Sequence, residues 1–119
     1  MRKTEQLRIR KITNASGGTY DYVKTDIVPS GEFWVIQHTS YENQTGARGN
    51  FRRYIERGDY NHYLGEHQSP GAAELITSDN EVWLMQGDRL TIRQASATAA
   101  DVLALYCTGY KVFADEIGG

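Results

Sequence analysis

Turn residues interrupt this sequence at intervals of roughly 8 to 12 residues, which is the strand spacing of an all-β sandwich. Pro29, Gly58 and Pro70 separate short segments in which apolar and polar residues alternate. The clearest alternation covers residues 89–93 and predicts a strand with one face in the core and the other in water. We therefore predict an all-β protein of about eight or nine short antiparallel strands.

The length of 119 residues fits a single domain with one core. Residues 1–12 are predicted to be an N-terminal arm or the first strand, and residues 13–119 a single β-sandwich domain. The polar stretch 41–50 is predicted to be a long loop at one end of the fold. Apolar residues over 97–106 fit both helical and strand spacing, and we favour a strand from residue 101 onward.

Composition excludes several classes of protein. Thirteen basic and fifteen acidic residues give a net charge of −2, so no overall field favours binding to nucleic acid or to an anionic membrane. No run approaches the ~20 apolar residues of a membrane span, and no apolar signal segment follows the start of the chain. We expect a protein made in the cytoplasm. Cys107 is the single cysteine, so neither an internal disulfide nor a cysteine zinc site is predicted.

The sequence contains no arrangement of residues typical of an enzyme. Hydrolases need two positioned carboxylates, or a nucleophile beside a base, and the acidic residues here are scattered. His62, Glu66 and His67 could ligate zinc or iron, but the two histidines are five residues apart and so lie on opposite faces of a strand. We predict no catalytic residue, no metal and no cofactor. A small cupin-like metalloenzyme is kept as the second alternative.

Tyrosine and arginine are the residues through which this chain is predicted to contact a partner. Eight of the thirteen aromatic residues are tyrosine. Both residue types dominate the energetics of protein interfaces, and arginine pairs with carboxylates through its planar group. Basic residues cluster near the N-terminus and again around the fourth predicted strand. The candidate partner-binding residues are Arg2, Lys3, Arg8, Arg10, Arg48, Arg52, Arg53, Tyr54, Tyr60 and Tyr63.

The order of strands and turns resembles that of a known family. The matching stretches are Gly18-Thr19-Tyr20, the run from Val28 to Ile36, the run from Leu84 to Leu90, and the run from Asp101 to Tyr106 together with Gly109-Tyr110. They resemble small virion proteins of tailed bacteriophages, especially the jelly-roll decoration or cement proteins of the capsid. The likeness covers about residues 19–112 and consists of strand and turn positions, with no catalytic motif.

The resemblance implies an antiparallel β-sandwich of jelly-roll type; the extended N-terminal arm predicted from the sequence lies outside the resemblance. It also implies a non-enzymatic virion structural protein that binds the major capsid protein lattice and stabilises the head. Such proteins form homotrimers on the outer capsid surface, so a homotrimer in the virion, made in the host cytoplasm, is expected. The arm would lie on the acidic capsid surface or add a strand to a neighbouring subunit.

Glycan or host-receptor binding, as in a tail-fibre or lectin-like module, is the alternative function. Exposed tyrosine and tryptophan rings stack on sugars, and jelly rolls are frequent lectin frames. Tyr41, Tyr54, Tyr60 and Tyr63 would form the platform near the predicted loop. The other interpretation is that these side chains fill the core or a subunit interface, because tyrosine buries a large area while keeping a polar group.

The homotrimer implied by the resemblance is tested by size-exclusion chromatography with light scattering. We expect a particle of three times the mass of one chain that also co-sediments with capsids. A strictly monomeric protein that does not co-sediment would contradict the decoration function.

Overall fold

The computed structural model describes residues 4–46, 49–67 and 73–113. Within these ranges the chain forms nine β-strands and no helix. The described residues therefore contain no helical segment that could cross a membrane. In chain order the strands are β1 (Thr4–Asn14), β2 (Tyr20–Lys24), β3 (Glu32–Asn43), β4 (Phe51–Arg57), β5 (Tyr60–His67), β6 (Ile76–Ser78), β7 (Val82–Leu84), β8 (Arg89–Ala95) and β9 (Val102–Phe113).

Two antiparallel sheets form a β-sandwich, which confirms the predicted fold class. Sheet A has the order β1-β9-β3, with β6 and β7 both paired to β3, and sheet B has the order β2-β8-β4-β5. β6 pairs with residues 39–41 and β7 with residues 34–36, so these two short strands follow one another along one edge of sheet A. Counted as one strand, they complete a jelly roll of eight strands, in which the chain passes repeatedly from one sheet to the other.

Apolar residues that face inward from both sheets form the core. On β8, Leu90 and Ile92 point inward and are almost completely buried, as the alternation over 89–93 predicts. The outward-facing side of this strand is less exposed to solvent than predicted, since Thr91 is also buried. Each large apolar side chain contributes roughly 1.5–3 kcal/mol relative to full exposure. The principal core residues are Leu7, Val23, Trp34, Ile36, Leu84, Leu90, Ile92, Leu103 and Leu105.

The N-terminal segment is a strand of sheet A. β1 pairs with β9 along its whole length, from Thr4 opposite Val112 to Asn14 opposite Val102. Pairing with β9 satisfies backbone N–H and C=O groups that a free arm would leave to solvent. The described part of residues 1–12, which the sequence left as an arm or a first strand, is thus built into the sandwich of its own chain.

The polar stretch 41–50, predicted to be a long loop, begins as strand. β3 continues to Asn43, and Tyr41 packs in the core against Phe51 with ring centroids 4.6 Å apart. Asn43 is also buried, because its amide nitrogen donates to Asp101 at 3.1 Å and its amide oxygen accepts backbone N–H groups of the following turn. A polar sequence can enter the core here because these hydrogen bonds are made.

Residues 97–106, whose spacing fits both a helix and a strand, form a turn followed by β9, which starts at Val102. Asp101 closes the turn: its carboxylate accepts the backbone N–H of Thr98 at 3.0 Å, and its own N–H donates to the Thr98 carbonyl at 3.0 Å. Ala100 has a φ of 72°, a left-handed conformation that interrupts any helix. β9 then lies between β1 and β3 as a central strand.

Gly109 lies where β9 closely approaches β3. The pairing of these strands is irregular between Ile36 and His38, and Gly109 is opposite Ile36. A β-carbon at position 109 would overlap the backbone carbonyl oxygen of Val35. Only glycine therefore allows the two longest strands to pair at this point.

We expect Gly109→Ala to destabilise the protein by ~3 kcal/mol, at the upper end of the range for overpacked sites, because backbone must move to admit the new methyl group. Urea unfolding followed by circular dichroism measures the change. Gly65→Ala is the matched control: it also lies within a strand, and the nearest atom to its added β-carbon is His67 Nε2 at 4.0 Å. Equal destabilisation by both substitutions would contradict the close-approach explanation.

Candidate functional site

The outer face of sheet B carries tyrosines set among charged side chains. On β2, Tyr20 and Tyr22 are exposed and alternate with the buried Asp21 and Val23. The same alternation along β8, β4 and β5 directs further polar and aromatic residues outward. We call this surface the tyrosine face; it comprises Tyr20, Tyr22, Lys24, Arg52, Tyr54, Glu56, Tyr63, Glu66, Arg89, Thr91 and Arg93.

Strand register arranges these residues in rows across the sheet. Tyr22 is opposite Arg93, which is opposite Arg52, which in turn is opposite Glu66. The neighbouring row runs from Lys24 through Thr91 and Tyr54 to Tyr63. Directly opposed side chains in a sheet lie about 5 Å apart, so each row is a continuous line of contacts.

A cation lies over each exposed ring of the tyrosine face. The guanidinium carbon of Arg93 is 4.1 Å from the centroid of Tyr20, and that of Arg52 is 5.5 Å from the centroid of Tyr63. The ammonium of Lys24 is 5.3 Å from the centroid of Tyr22. Cation–π attraction restrains the rings, yet 42%, 44% and 48% of Tyr20, Tyr22 and Tyr63 stay accessible to solvent. The aromatic surface is therefore both restrained and exposed.

Tyr54 forms the floor of this surface. Only 3% of the residue is exposed, and its ring centroid is 5.0 Å from that of Tyr63. Burial, with the nearby charge of Glu56, raises the pKa of Tyr54 to about 12, so its phenol is neutral at physiological pH. Tyr54 contributes packing and orientation to the face, whereas its neighbours contribute accessible area.

Two shallow depressions lie on the tyrosine face and share Arg52 and Glu66. These two side chains form an ion pair of 2.6 Å between the Arg52 Nε and a carboxylate oxygen of Glu66. One depression has a volume of about 330 Å³, and the other, of about 320 Å³, extends across the sheet to β2. The second is lined by Tyr20, Gly49, Asn50, Arg52, Glu66, Arg93, Ala95 and Ser96.

Glu56 organises the charges at the other end of the face. Its carboxylate accepts hydrogen bonds from Arg89 Nη2 at 2.9 Å and from Thr91 Oγ1 at 3.2 Å, and it lies 3.1 Å from Lys24 Nζ. Burial alone would raise the pKa of this carboxyl group, but the hydrogen bonds and charges of Arg89 and Lys24 together outweigh burial and lower the pKa. Glu56 is therefore ionised and fixes the two cations.

The structure brings together some of the predicted contact residues. Arg52, Tyr54 and Tyr63 lie on the tyrosine face. Tyr60 is exposed at the turn between β4 and β5, where it is the first residue of β5. Arg2, Lys3 and Arg48 lie outside the described residues.

Other predicted contact residues lie elsewhere on the sandwich. Arg8 and Arg10 are exposed on β1, where they alternate with inward-facing residues and so lie on the outer side of sheet A. Arg53 was predicted to be a surface contact, but it is only 5% exposed, because it follows Arg52 directly and must point to the opposite side of β4.

One of the four tyrosines of the predicted sugar platform does not lie at the surface. Tyr41 is not part of it, because its ring is in the core and its hydroxyl donates to Gln94 at 2.8 Å. Sequence reasoning missed Tyr20 and Tyr22 as site residues, together with Arg93. The spacing of two tyrosines two residues apart in a strand is the pattern that could have revealed them, since it places both rings on one face.

The proposed metal ligands do not converge. Glu66 faces outward and pairs with Arg52, whereas His67 stacks on Phe51 at a centroid distance of 4.8 Å. Across residues 4–46, 49–67 and 73–113, no three histidine, cysteine or acidic side chains are close enough to hold a metal ion. The alternation of β5 separates Glu66 from His67 because neighbouring residues point to opposite sides of a sheet.

Comparison with known proteins yields similarity only at the level of structure. No protein-family model and no curated protein sequence matches the chain. A point mutant of a family 29 carbohydrate-binding module is similar with a TM-score of 0.47 and 13% identity, over 95% of this chain and 76% of that one. A second family 29 module has a TM-score of 0.40 and 13% identity, over 92% and 90% of the two chains. At these values the function must be argued from the geometry of this chain.

We expect Glu56→Gln to lower the free energy of unfolding by about 1–2 kcal/mol at pH 7, because hydrogen bonds between charged groups are lost. The folded pKa of Glu56 lies below its ordinary value of 4.5, so its contribution is complete above pH 4.5 and is lost as pH falls through the folded pKa. The difference between wild type and variant should therefore shrink in urea unfolding at pH 3.

Glu66→Gln is the control for this measurement, because Glu66 belongs to an exposed ion pair and its loss should cost less than ~1 kcal/mol. Stability curves for wild type and Glu56→Gln that stay parallel from pH 7 to pH 3 would contradict the assigned role of Glu56.

Proposed function

We propose that the tyrosine face of sheet B binds glycan and that the protein is a non-catalytic carbohydrate-binding module. The observation that supports this proposal is the set of half-exposed rings of Tyr20, Tyr22 and Tyr63, which lie on one sheet face with shallow depressions beside Tyr20 and Tyr63. This arrangement matches the alternative function from the sequence, with Tyr20 and Tyr22 replacing Tyr41 and Tyr60.

The chemistry of a sugar suits such a surface. A pyranose ring presents patches of C–H groups on its faces and hydroxyl groups around its rim. Aromatic rings contact the C–H patches, and charged or amide side chains exchange hydrogen bonds with hydroxyls. In the depression that extends across the sheet to β2, Arg93, Glu66 and Asn50 are the groups placed to do so beside Tyr20.

Restraint of the rings favours binding. Tyr20 is stacked on Arg93 and Tyr63 lies beside Arg52, so less side-chain freedom is lost when a ligand arrives. Immobilising a flexible side chain in an interface costs ≈ 0.5–1.5 kcal/mol, and a ring already held avoids part of this cost. The shallow depressions also suit a chain molecule that lies across the strands better than a small molecule that must be enclosed.

Capsid decoration, the homotrimer and the virion location rest on the resemblance alone and stay predictions. Arg8 and Arg10 project from sheet A, and the tyrosine face belongs to sheet B. A capsid contact through these arginines and a glycan contact would therefore use opposite sides of the sandwich.

We expect single substitutions Tyr20→Ala, Tyr22→Ala and Tyr63→Ala to weaken glycan binding about tenfold each, as for a central aromatic contact. Affinity electrophoresis against soluble mannan, xylan, glucan, pectate and alginate identifies a ligand, and isothermal titration calorimetry then measures the variants. Trp83→Ala is the matched control, because Trp83 is also an exposed aromatic residue but lies on β7 in sheet A.

The same experiment can overturn the proposal in two ways. Failure of every polysaccharide to retard the wild-type protein at high protein concentration would contradict glycan binding. A loss of affinity in Trp83→Ala with none in the three tyrosine variants would place the site on sheet A instead.

A further inference from the structure

Arg53 is a buried arginine whose charge has no partner of opposite sign among the residues that the structure describes. It lies on β4 between β8 and β5, opposite Ile92 and Gly65, and points into the space between the two sheets. Its Nε and Nη1 atoms are buried and make no hydrogen bond within the described part of the chain. Arginine stays protonated in proteins, so the charge cannot be removed by loss of a proton.

A second unsatisfied group lies beside it. The hydroxyl oxygen of Thr39, on β3 of the opposite sheet, is also buried and has no partner with good hydrogen-bond geometry among the described residues; its one polar neighbour of note is the weakly hydrogen-bonding thiol of Cys107, opposite it on β9. Thr39 and Arg53 both line one small cavity of about 10 Å³ between the sheets. The remaining residues that line the cavity are Tyr41, Phe51, His67, Ile76, Ser78 and Ile92.

No group that faces Arg53 from the described residues supplies a negative charge. Burial raises the pKa of the Cys107 thiol to about 12, so this neighbour is neutral. Burial, together with the charge of Arg53, lowers the pKa of His67, so this imidazole is neutral near pH 7. The hydroxyl of Tyr41 donates to Gln94 and its pKa is raised by burial. The cavity lining contains no carboxylate.

The energetics favour a compensating charge beside the buried Nε and Nη1 atoms of Arg53. An unpaired ion taken out of water costs several kcal/mol even after the protein relaxes, which is a large fraction of the stability of a domain. A water molecule can accept the hydrogen bonds of Arg53 but leaves the charge uncompensated. An anion does both, and hydrogen bonds between charged partners are about twice as strong as neutral ones.

We propose that one small monovalent anion, chloride under ordinary conditions, binds between the Arg53 guanidinium and the Thr39 hydroxyl inside the sandwich. The cavity leaves about 10 Å³ for the centre of a water-sized sphere, which admits a halide ion of somewhat larger radius but not the much larger sulfate or phosphate. Arg53 and Thr39 both donate hydrogen bonds to the ion, one from each sheet. The site stands apart from the tyrosine face, because Arg53 points inward where Arg52 points outward.

The test uses thermal unfolding of the full chain in sodium gluconate, with sodium chloride exchanged for gluconate at constant ionic strength. For the wild type we expect a saturable rise in Tm of about 5 °C when chloride is about tenfold above its Kd. Sodium sulfate should give no saturable rise. Arg53→Met keeps the length of the side chain and removes the charge, so we expect its Tm to be independent of chloride.

Two further variants separate the site from general effects of salt. Arg52→Met is the matched control, since it removes the neighbouring outward arginine and should keep the full chloride dependence. Thr39→Val removes one donor and should shift the chloride midpoint to higher concentration, and it decides the matter if Arg53→Met does not fold.

Crystals grown in sodium bromide give a direct readout. We expect an anomalous peak within hydrogen-bonding distance of Arg53 and Thr39 in the wild type, a weaker peak in Thr39→Val and none in Arg53→Met. Density for water only, without a bromide peak, would overturn the proposal. Equal chloride dependence of wild type and Arg53→Met would overturn it as well.

Discussion

β4 is a central strand of sheet B, so each of its side chains points either into the interior or to the outer surface. Neighbouring strands on both sides leave no third direction, so Arg52 and Arg53 are separated although they are adjacent in sequence. Arg52 joins an exposed ion pair with Glu66, and Arg53 enters the space between the sheets. This one constraint places the tyrosine face and the cavity beside Arg53 on opposite sides of a single layer.

The interior tolerates polar side chains where each has a partner. Tyr41 and Gln94 join the two sheets through a hydrogen bond of 2.8 Å, and Asn43 and Asp101 join β3 to the start of β9 at 3.1 Å. A buried hydrogen bond of this kind contributes modestly when made and costs more when one partner is removed, so these pairs fix the register of strands as well as stabilising them. Arg53 departs from this pattern, which is why its surroundings point to a bound ion.

Strand alternation and turn spacing made the all-β sandwich predictable, because both are local properties of the sequence. Which residues form the surface site depends on the register between strands, and register is harder to predict from the sequence. Tyr54 and Tyr63 were found because they flank a recognisable hairpin, whereas Tyr20 and Tyr22 reach the same surface only through the pairing of β2 with β8. Tyr41 is in the core, in agreement with the interpretation that these tyrosines fill the interior, but the strand that carries it was predicted to be a loop, because the hydrogen-bond partners of the polar residues after it lie far away in sequence.

The divided edge of sheet A has a consequence for how this protein can associate. β6 and β7 are only three residues each, and the interruption between them leaves no long row of backbone groups along that side of β3. On the opposite sheet, β2 is short and β5 carries an irregular pairing between Arg53 and Tyr54 of its partner strand. Short or irregular borders are poor templates for an incoming strand, whereas β1, at the other edge of sheet A, is an uninterrupted strand of 11 residues. β1 is therefore the edge at which backbone pairing can add a strand, and the broad faces are where side chains can discriminate among ligands.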